Sequence, residues 1–199
     1  MKKSVLILIA CLFFLHVQVM AGYACVGRIL TISMTDSPDQ QMVAQIMSVL
    51  ITERTGTAIE FVKAADVQES EKKMEKGEAD IFISYLGIAQ GSVEGAESIT
   101  NPQETYAIVK AHYLQNLGMV WLKPFGYFGP TGNDSTQQQS IAAPVTTKTV
   151  LDRFPVLDRV INKLEGKIDN AILKQLAEQA SSGDPREVAK SFLKTRNMI

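Results

Sequence analysis

The chain has 199 residues, 20 Lys and Arg against 21 Asp and Glu, and a formal net charge of −1 at neutral pH. That balance excludes the strongly basic surface a nucleic-acid binder needs; no Lys/Arg stripe appears, and the charges interleave along helical segments as on ordinary solvated faces. With 46% hydrophobic residues the chain suffices for one modest domain with a real core.

Lys2 and Lys3 form a basic start, and an uncharged apolar run follows from Val5 to Leu15. It is too short for an ordinary membrane span, which takes about 20 apolar residues. It ends in His16 and Gln18 before the small residues Ala21, Gly22 and Ala24. The pattern predicts a signal peptide over residues 1–21, with Val19 at −3 and Ala21 at −1 of the cut; a cut after Ala24 is the alternative. Of the two cysteines, Cys11 lies in a lipobox-like Leu8-Ile9-Ala10-Cys11 inside the apolar run, and Cys25 is well placed but lacks an aliphatic residue at −3. The expectation is an exported, periplasmic protein, with lipid anchoring through Cys25 as an alternative; unlipidated, Cys25 is a lone thiol with no internal disulfide partner.

Ile29 to Ser33 reads as an apolar strand, followed by a helix start with Ser37 at N-cap, Pro38 at N1 and Gln40 at N3. Met42, Val43, Ile46, Met47, Leu50 and Ile51 recur at helical spacing until Gly56, and the methionines among them read as core filler. Ala58 to Val62 alternates like a strand, Asp66 to Lys76 is a charged surface helix, and Ala79 to Tyr85 is a strand again. Asn101-Pro102-Gln103-Glu104 opens a helix whose face is Tyr106, Val109, Tyr113 and Leu117, and Met119 to Leu122 is a fourth strand. Lys123 to Gln139 turns to Pro, Gly, Asn, Ser and Gln and reads as a loop. After it only helices are expected, on stripes Val150, Leu151, Phe154, Leu157, Ile161 and Leu164, broken at Pro155, then Ile172, Leu173 and Leu176. A last helix is capped by Asp184-Pro185-Arg186-Glu187, with Val188, Phe192 and Leu193 facing inward. Alternation of strand and helix predicts an α/β fold with a mostly parallel sheet of about four or five strands, Trp121 buried, and ligands beyond the carboxyl ends of the strands.

Catalytic sets are missing. Beyond the leader there is one histidine, His112, in mid-helix, so no Ser-His-Asp arrangement and no paired-histidine metal site is available. Gly126, Gly129 and Gly132 are spaced like a phosphate loop, but neither a Lys-Ser/Thr pair nor a helix follows. Glu69, Glu71 and Glu75 share their helix with Lys72, Lys73 and Lys76, as on a solvated face. The aromatics say more: Tyr85 ends a strand, and Phe125, Tyr127 and Phe128 crowd the loop after another, which brings them to one sheet edge. Such rings either pack the rim of the core or cage a quaternary ammonium, at a gain of about 0.5–2 kcal/mol per contact.

Whole segments then resemble one family, the glycine betaine/choline/carnitine-binding proteins of osmoprotectant ABC importers, with a type II periplasmic-binding-protein-like fold. Residues 28–56 are similar to its opening strand, loop and helix. GEADIFISYLG (77–87) resembles its G-E-I-D-hydrophobic-Y-P-E-Y-T-G segment, LGMVWLKPFG (117–126) its G-L-V-W-L-x-P hinge strand, and Ala142 to Ile199, with DPREVAKSFL, its helical C-terminus. The resemblance implies a substrate-binding component delivering a quaternary-ammonium solute to an inner-membrane permease, with no enzymatic activity, no cofactor and no metal. Tyr85 is the cage tyrosine it implies, and Trp121 a structural residue. The sequence departs from the family in two ways. Family members are two-lobed clamps, whereas only a loop over about 125–141 lies here between the two hinge crossings, so residues 22–199 are expected to form a single lobe. The family's P-E-Y-T-G is replaced by Ile83-Ser84-Tyr85-Leu86-Gly87. The expected ligand-binding residues are Tyr85, Tyr127, Phe128 and Asp36, along an open groove that also invites self-association. The competing expectation is a single-lobe exported module that docks on a permease or another binding protein without carrying solute.

Overall fold

The computed structural model describes residues 29–96, 98–129 and 140–199. The leader, both cut sites, Cys25 and the tip of the expected loop lie outside them. Strands β1 (Ile29–Met34), β2 (Ala58–Lys63), β3 (Ile81–Tyr85), β4 (Met119–Trp121), β5 (Phe128–Gly129) and β6 (Ser140–Thr147) form an open sheet in the order β2-β1-β3-β6-β4, with β5 on β6. β1 pairs in parallel with β2 and β3, and β6 is antiparallel to β3, β4 and β5. Five strands therefore run one way, and the carboxyl ends of β1, β3 and β4 share an edge with the start of β6.

Helix α1 (Pro38–Thr55) carries the expected stripe, with Met42, Val43, Ile46, Met47, Leu50 and Ile51 at most 2% exposed, but it also buries Ala44, Ser48 and Val49. A helix apolar on more than one face is buried on more than one face. Here the sheet covers one side, and the C-terminal helices α6 (Leu157–Ile161), α7 (Asn170–Ser182) and α8 (Pro185–Thr195) cover the other. Gly56 ends α1 in the left-handed conformation, φ 71°, and α8 ends in a Schellman turn: Asn197 takes φ 54° while its N–H donates to Lys194 and that of Met198 to Leu193. α4 (Pro102–Asn116) is capped by Asn101 and α8 by Asp184, as their sequences predict; α2 (Val67–Glu75) is capped by Asp66, and the short α3 (Leu86–Gln90) follows β3. Trp121 is fully buried, with Tyr106 and Tyr113 edge-on to it at 6.0 and 5.6 Å.

Two sequence expectations need correction. The segment after residue 139 opens with a strand, β6, before its helices begin at α5 (Lys148–Arg153). Pro144 hides it, since proline cannot donate to a ladder. In this strand Pro144 stands just past the end of β4, where its carbonyl accepts from Leu122 N–H, and the Leu122 carbonyl, which would otherwise need a donor from residue 144, accepts from the Tyr106 hydroxyl instead. The acidic face of α2 is also not uniformly solvated: Glu71 is partly buried and accepts a hydrogen bond from the Tyr113 hydroxyl at 2.9 Å.

Burial raises the Glu71 carboxyl above the ordinary carboxylate value, opposed by the Tyr113 hydroxyl and reinforced by Glu75. A carboxyl with a folded-state value above its unfolded one binds its proton more tightly when folded, so its ionisation destabilises the fold as pH rises through the raised value. Glu71→Gln keeps an acceptor for Tyr113 without the buried charge. We expect it to raise the midpoint of urea unfolding at neutral pH, with the gain vanishing once pH falls below the ordinary carboxylate range. A variant less stable than wild type at pH 7 contradicts this.

Candidate functional site

The carboxyl edge of the sheet is built by two neighbours, the end of β3 and the segment that follows β4. Tyr85, the last residue of β3, stands opposite Ala142 of β6. After β4, the chain keeps to β6 with Leu122 N–H on Pro144, Phe125 N–H on Ala142 and Ala142 N–H on Tyr127, and then enters β5, which pairs Phe128 with Ile141 and Gly129 with Ser140. Between Trp121–Val145 and Phe128–Ile141 this side holds three more residues than β6, a bulge around Lys123 and Pro124 that re-aims the rings. Gly126, at φ 114°, lies so close to the next segment that a β-carbon there falls 3.0 Å from the Cα of Gly166.

The bulge gathers three rings. Tyr127 meets Tyr85 edge-on at 6.4 Å and stacks on Phe125 at 5.9 Å and 22°. All are buried: Tyr85 is 2% exposed, Tyr127 1% and Phe125 0%. Gly129 lies against the face of Tyr85, where any β-carbon overlaps ring atoms Cε1 and Cδ1. Burial is the main cause holding both phenols above their ordinary value, Tyr127 the further. Gln40 donates to the Tyr85 hydroxyl at 3.3 Å, and the two buried phenol hydroxyls, Tyr85 and Tyr127, influence each other.

Of the four residues expected at the site, the structure brings Tyr85 and Tyr127 together. Phe128 is next to them but turned outward, 38% exposed. Asp36 is on the same edge yet leans the other way, pairing with Lys63 of β2 at 2.8 Å with both side chains more than 70% exposed. Such a pair adds little stability. In this conformation Tyr85 and Tyr127 do not face an open groove, because Phe128 and Gly129, within the segment expected as a loop, pair with β6 and Gly129 covers Tyr85.

Sequence reading missed two contributors. Gln40 was placed as a capping residue; instead Ser37 makes no side-chain cap, and the Gln40 amide accepts from Thr35 N–H at 3.1 Å while reaching Tyr85. Asp39, exposed in the first turn of α1, acts through its charge on both phenols. Its position two residues inside a helix start was the available signal. Among the described residues no group of three or more His, Cys, Asp or Glu side chains could hold a metal, and no helix is long and apolar enough to cross a membrane.

The crystal structure of a glycine betaine/carnitine/choline ABC transporter is similar to this chain, with a TM-score of 0.76 at 14% identity over 86% of this chain and 98% of that chain. Apo YehZ from Escherichia coli gives 0.73 at 13% over 85% and 99%. An ABC-transporter choline binding protein in complex with choline gives 0.58 at 8% over 85% and 89%. At these identities the likeness is one of fold, and the fold is that of periplasmic-binding-protein-like substrate-binding proteins. No curated protein matches the sequence. The family described as the substrate binding domain of ABC-type glycine betaine transport system matches residues 29–132 and 113–195, and the chain belongs to it.

The contact between Gly129 and Tyr85 is testable. Gly129→Ala has no backbone penalty to meet, only the ring, so it forces ring or ribbon to move at a cost of about 1–3 kcal/mol with altered tyrosine near-ultraviolet dichroism. An unchanged unfolding midpoint and spectrum refute the contact.

Proposed function

We propose that this chain is the single-lobe substrate-binding component, or a reduced relative of one, of an ABC importer for quaternary-ammonium osmoprotectants such as glycine betaine or choline. It is exported, hands its solute to an inner-membrane ABC permease and does no chemistry on it. The observation that carries this reading is the meeting of Tyr85 with Tyr127 and Phe125 at the carboxyl edge of the sheet, in a chain of this family. Aromatic faces hold a weakly hydrated cation by their quadrupole. Phe128 supplies an outer ring, and Asp39, with Asp36 further along the edge, supplies negative potential. Support for a single lobe comes from β5 and β6: Gly129 and Ser140 are paired neighbours with only ten residues between them. A compact domain takes about 50 residues or more. The two family matches overlap over residues 113–132, consistent with the two hinge crossings lying nearly end to end.

One lobe offers half a cage, and the surplus over association costs is small. Calorimetric titration of the mature protein with glycine betaine, choline and carnitine is expected to give dissociation constants in the millimolar range. Tyr85→Phe, which keeps the ring, stays within about threefold of wild type, and Tyr85→Ala, its fold checked by circular dichroism, loses about tenfold. No heat with any of the three solutes overturns the solute-carrying reading.

The burial of Tyr85 and Tyr127 favours a second reading, a module that docks on a permease, on another binding protein or on a second copy without carrying solute. Phe128 is then the exposed anchor. Absence of binding in the titration, together with concentration-dependent sedimentation lost in Phe128→Ser, selects this reading.

A further inference from the structure

A single side chain fixes the outer side of the segment that covers Tyr85. Asn170, the first residue of α7, accepts from Phe128 N–H through Oδ1 at 3.0 Å and donates through Nδ2 to the Phe128 carbonyl at 2.8 Å. An amide side chain thereby reproduces the two-bond exchange by which antiparallel strand partners hold each other, on the edge of β5 that has no strand beside it among the described residues. The helix does not need this amide, because Asp169 already caps it by accepting from Ile172 N–H at 2.8 Å. The clamped residue stands between Tyr127, edge-on to Tyr85, and Gly129, pressed on the Tyr85 ring. Asn170 is itself exposed, so removing its amide opens no cavity in the core.

We infer that Asn170 is the positioning residue of this aromatic edge: by holding the Phe128 backbone it keeps Tyr127 and Gly129 over Tyr85 and so sets how readily a cation reaches that ring. The clamp stands on its own geometry, and only its effect on cation access rests on the proposed function. Upstream, the same strand is fixed by backbone bonds, Gly166 N–H to Pro124 and Ile168 N–H to Phe125, and these end before Tyr127. Asn170 is what continues the suture to the ribbon. When it lets go, the ribbon keeps only its β6 side and swings from the ring.

The full mature chain and two variants, Asn170→Ala and Asn170→Asp, test this by amide hydrogen exchange and by nitration of tyrosines with tetranitromethane. In Asn170→Ala the Phe128 amide is expected to exchange about tenfold faster or more, the amides of Ile32 and Phe82 in the central strands to stay as in wild type, and Tyr85 to become nitratable. Asn170→Asp keeps the acceptor for Phe128 N–H but loses the donor to its carbonyl. Its Phe128 amide stays protected and its nitration is intermediate, an ordering that general destabilisation does not produce. Unchanged exchange at Phe128 in Asn170→Ala overturns the inference, as does a uniform rise at all amides. Titration of the same variants with choline separates the two proposals. Uncovered Tyr85 with no choline binding in any variant removes the solute reading and leaves the clamp. Choline binding that is identical in wild type and Asn170→Ala, with Phe128 exchange unchanged, removes the clamp and leaves the solute reading.

Discussion

The arrangement depends on one strand running against all its neighbours. β6 lies between β3 and β4, with β3 along residues 142–145 on one edge and β5 and then β4 along the other, so one eight-residue strand joins three others. Because it starts at the edge where β1, β3 and β4 end, it brings the chain from the ribbon straight down into the core and delivers Thr147 to the opposite edge, where α5 begins. There the Thr147 hydroxyl caps α5 by accepting from Val150 N–H. The same end is tied to β1 and β3 through Asp80: its carboxylate accepts from Thr31 N–H at 2.8 Å and pairs with Arg153, while its carbonyl accepts from the Thr146 hydroxyl at 2.8 Å. Directly opposite Tyr85 stands Ala142, fully buried, and a larger side chain there competes for volume with the rings the bulge delivers.

That geometry decides what the aromatic edge can offer a ligand. In a two-lobed clamp, closure excludes water from the site and completes it from the far side. On the proposed single-lobe reading, the chain's own ribbon takes part of that place, with Gly129 on the Tyr85 ring and Tyr127 edge-on to it. Under the proposed function a cation must displace the ribbon before it meets the ring, so the covering energy is subtracted from the cation–π gain. Weak binding is the physical consequence.

Much of this fold was legible because local chemistry and tertiary role agree. The ILTISM strand, the Ser37-Pro38 helix start, the Gly56 stop and the Asn101 and Asp184 caps are short-range devices whose meaning survives in the folded chain. β6 was hidden because Pro144 argues locally against a strand, and the objection is removed only by a distant residue, Tyr106, whose hydroxyl serves the Leu122 carbonyl that Pro144 cannot. Glu71 looked solvated because helical periodicity cannot say that Tyr113, 42 residues away, reaches its carboxylate. The gathering of Tyr85 with Tyr127 followed from strand ends sharing an edge. Their burial did not, since it rests on a pairing between Gly129 and Ser140 that no local pattern announces. The Asn170 amide is illegible for the same reason: beside the capping Asp169 it resembles any polar residue opening a helix.

The segment from Lys123 to Gly129 is held on both sides, and the kind of force on each side determines how it moves. On the inner side are backbone bonds to β6 and fully buried rings, interactions sheltered from water and salt. On the outer side, the Lys123–Glu165 pair is more than half exposed and contributes little, so the work falls to Asn162 accepting from Lys123 N–H, the two backbone bonds from Gly166 and Ile168, and Asn170 at the far end. Gly126 and Gly166 make this possible, because their backbones approach too closely for a β-carbon at Gly126. A hinge that flexes needs residues free to change φ and ψ with few bonds lost. This one must break a backbone ladder to do so. Motion at the aromatic edge is therefore confined to the ribbon beyond the last backbone suture, where, among the described residues, the Asn170 amide alone holds the outer side of the cover over Tyr85.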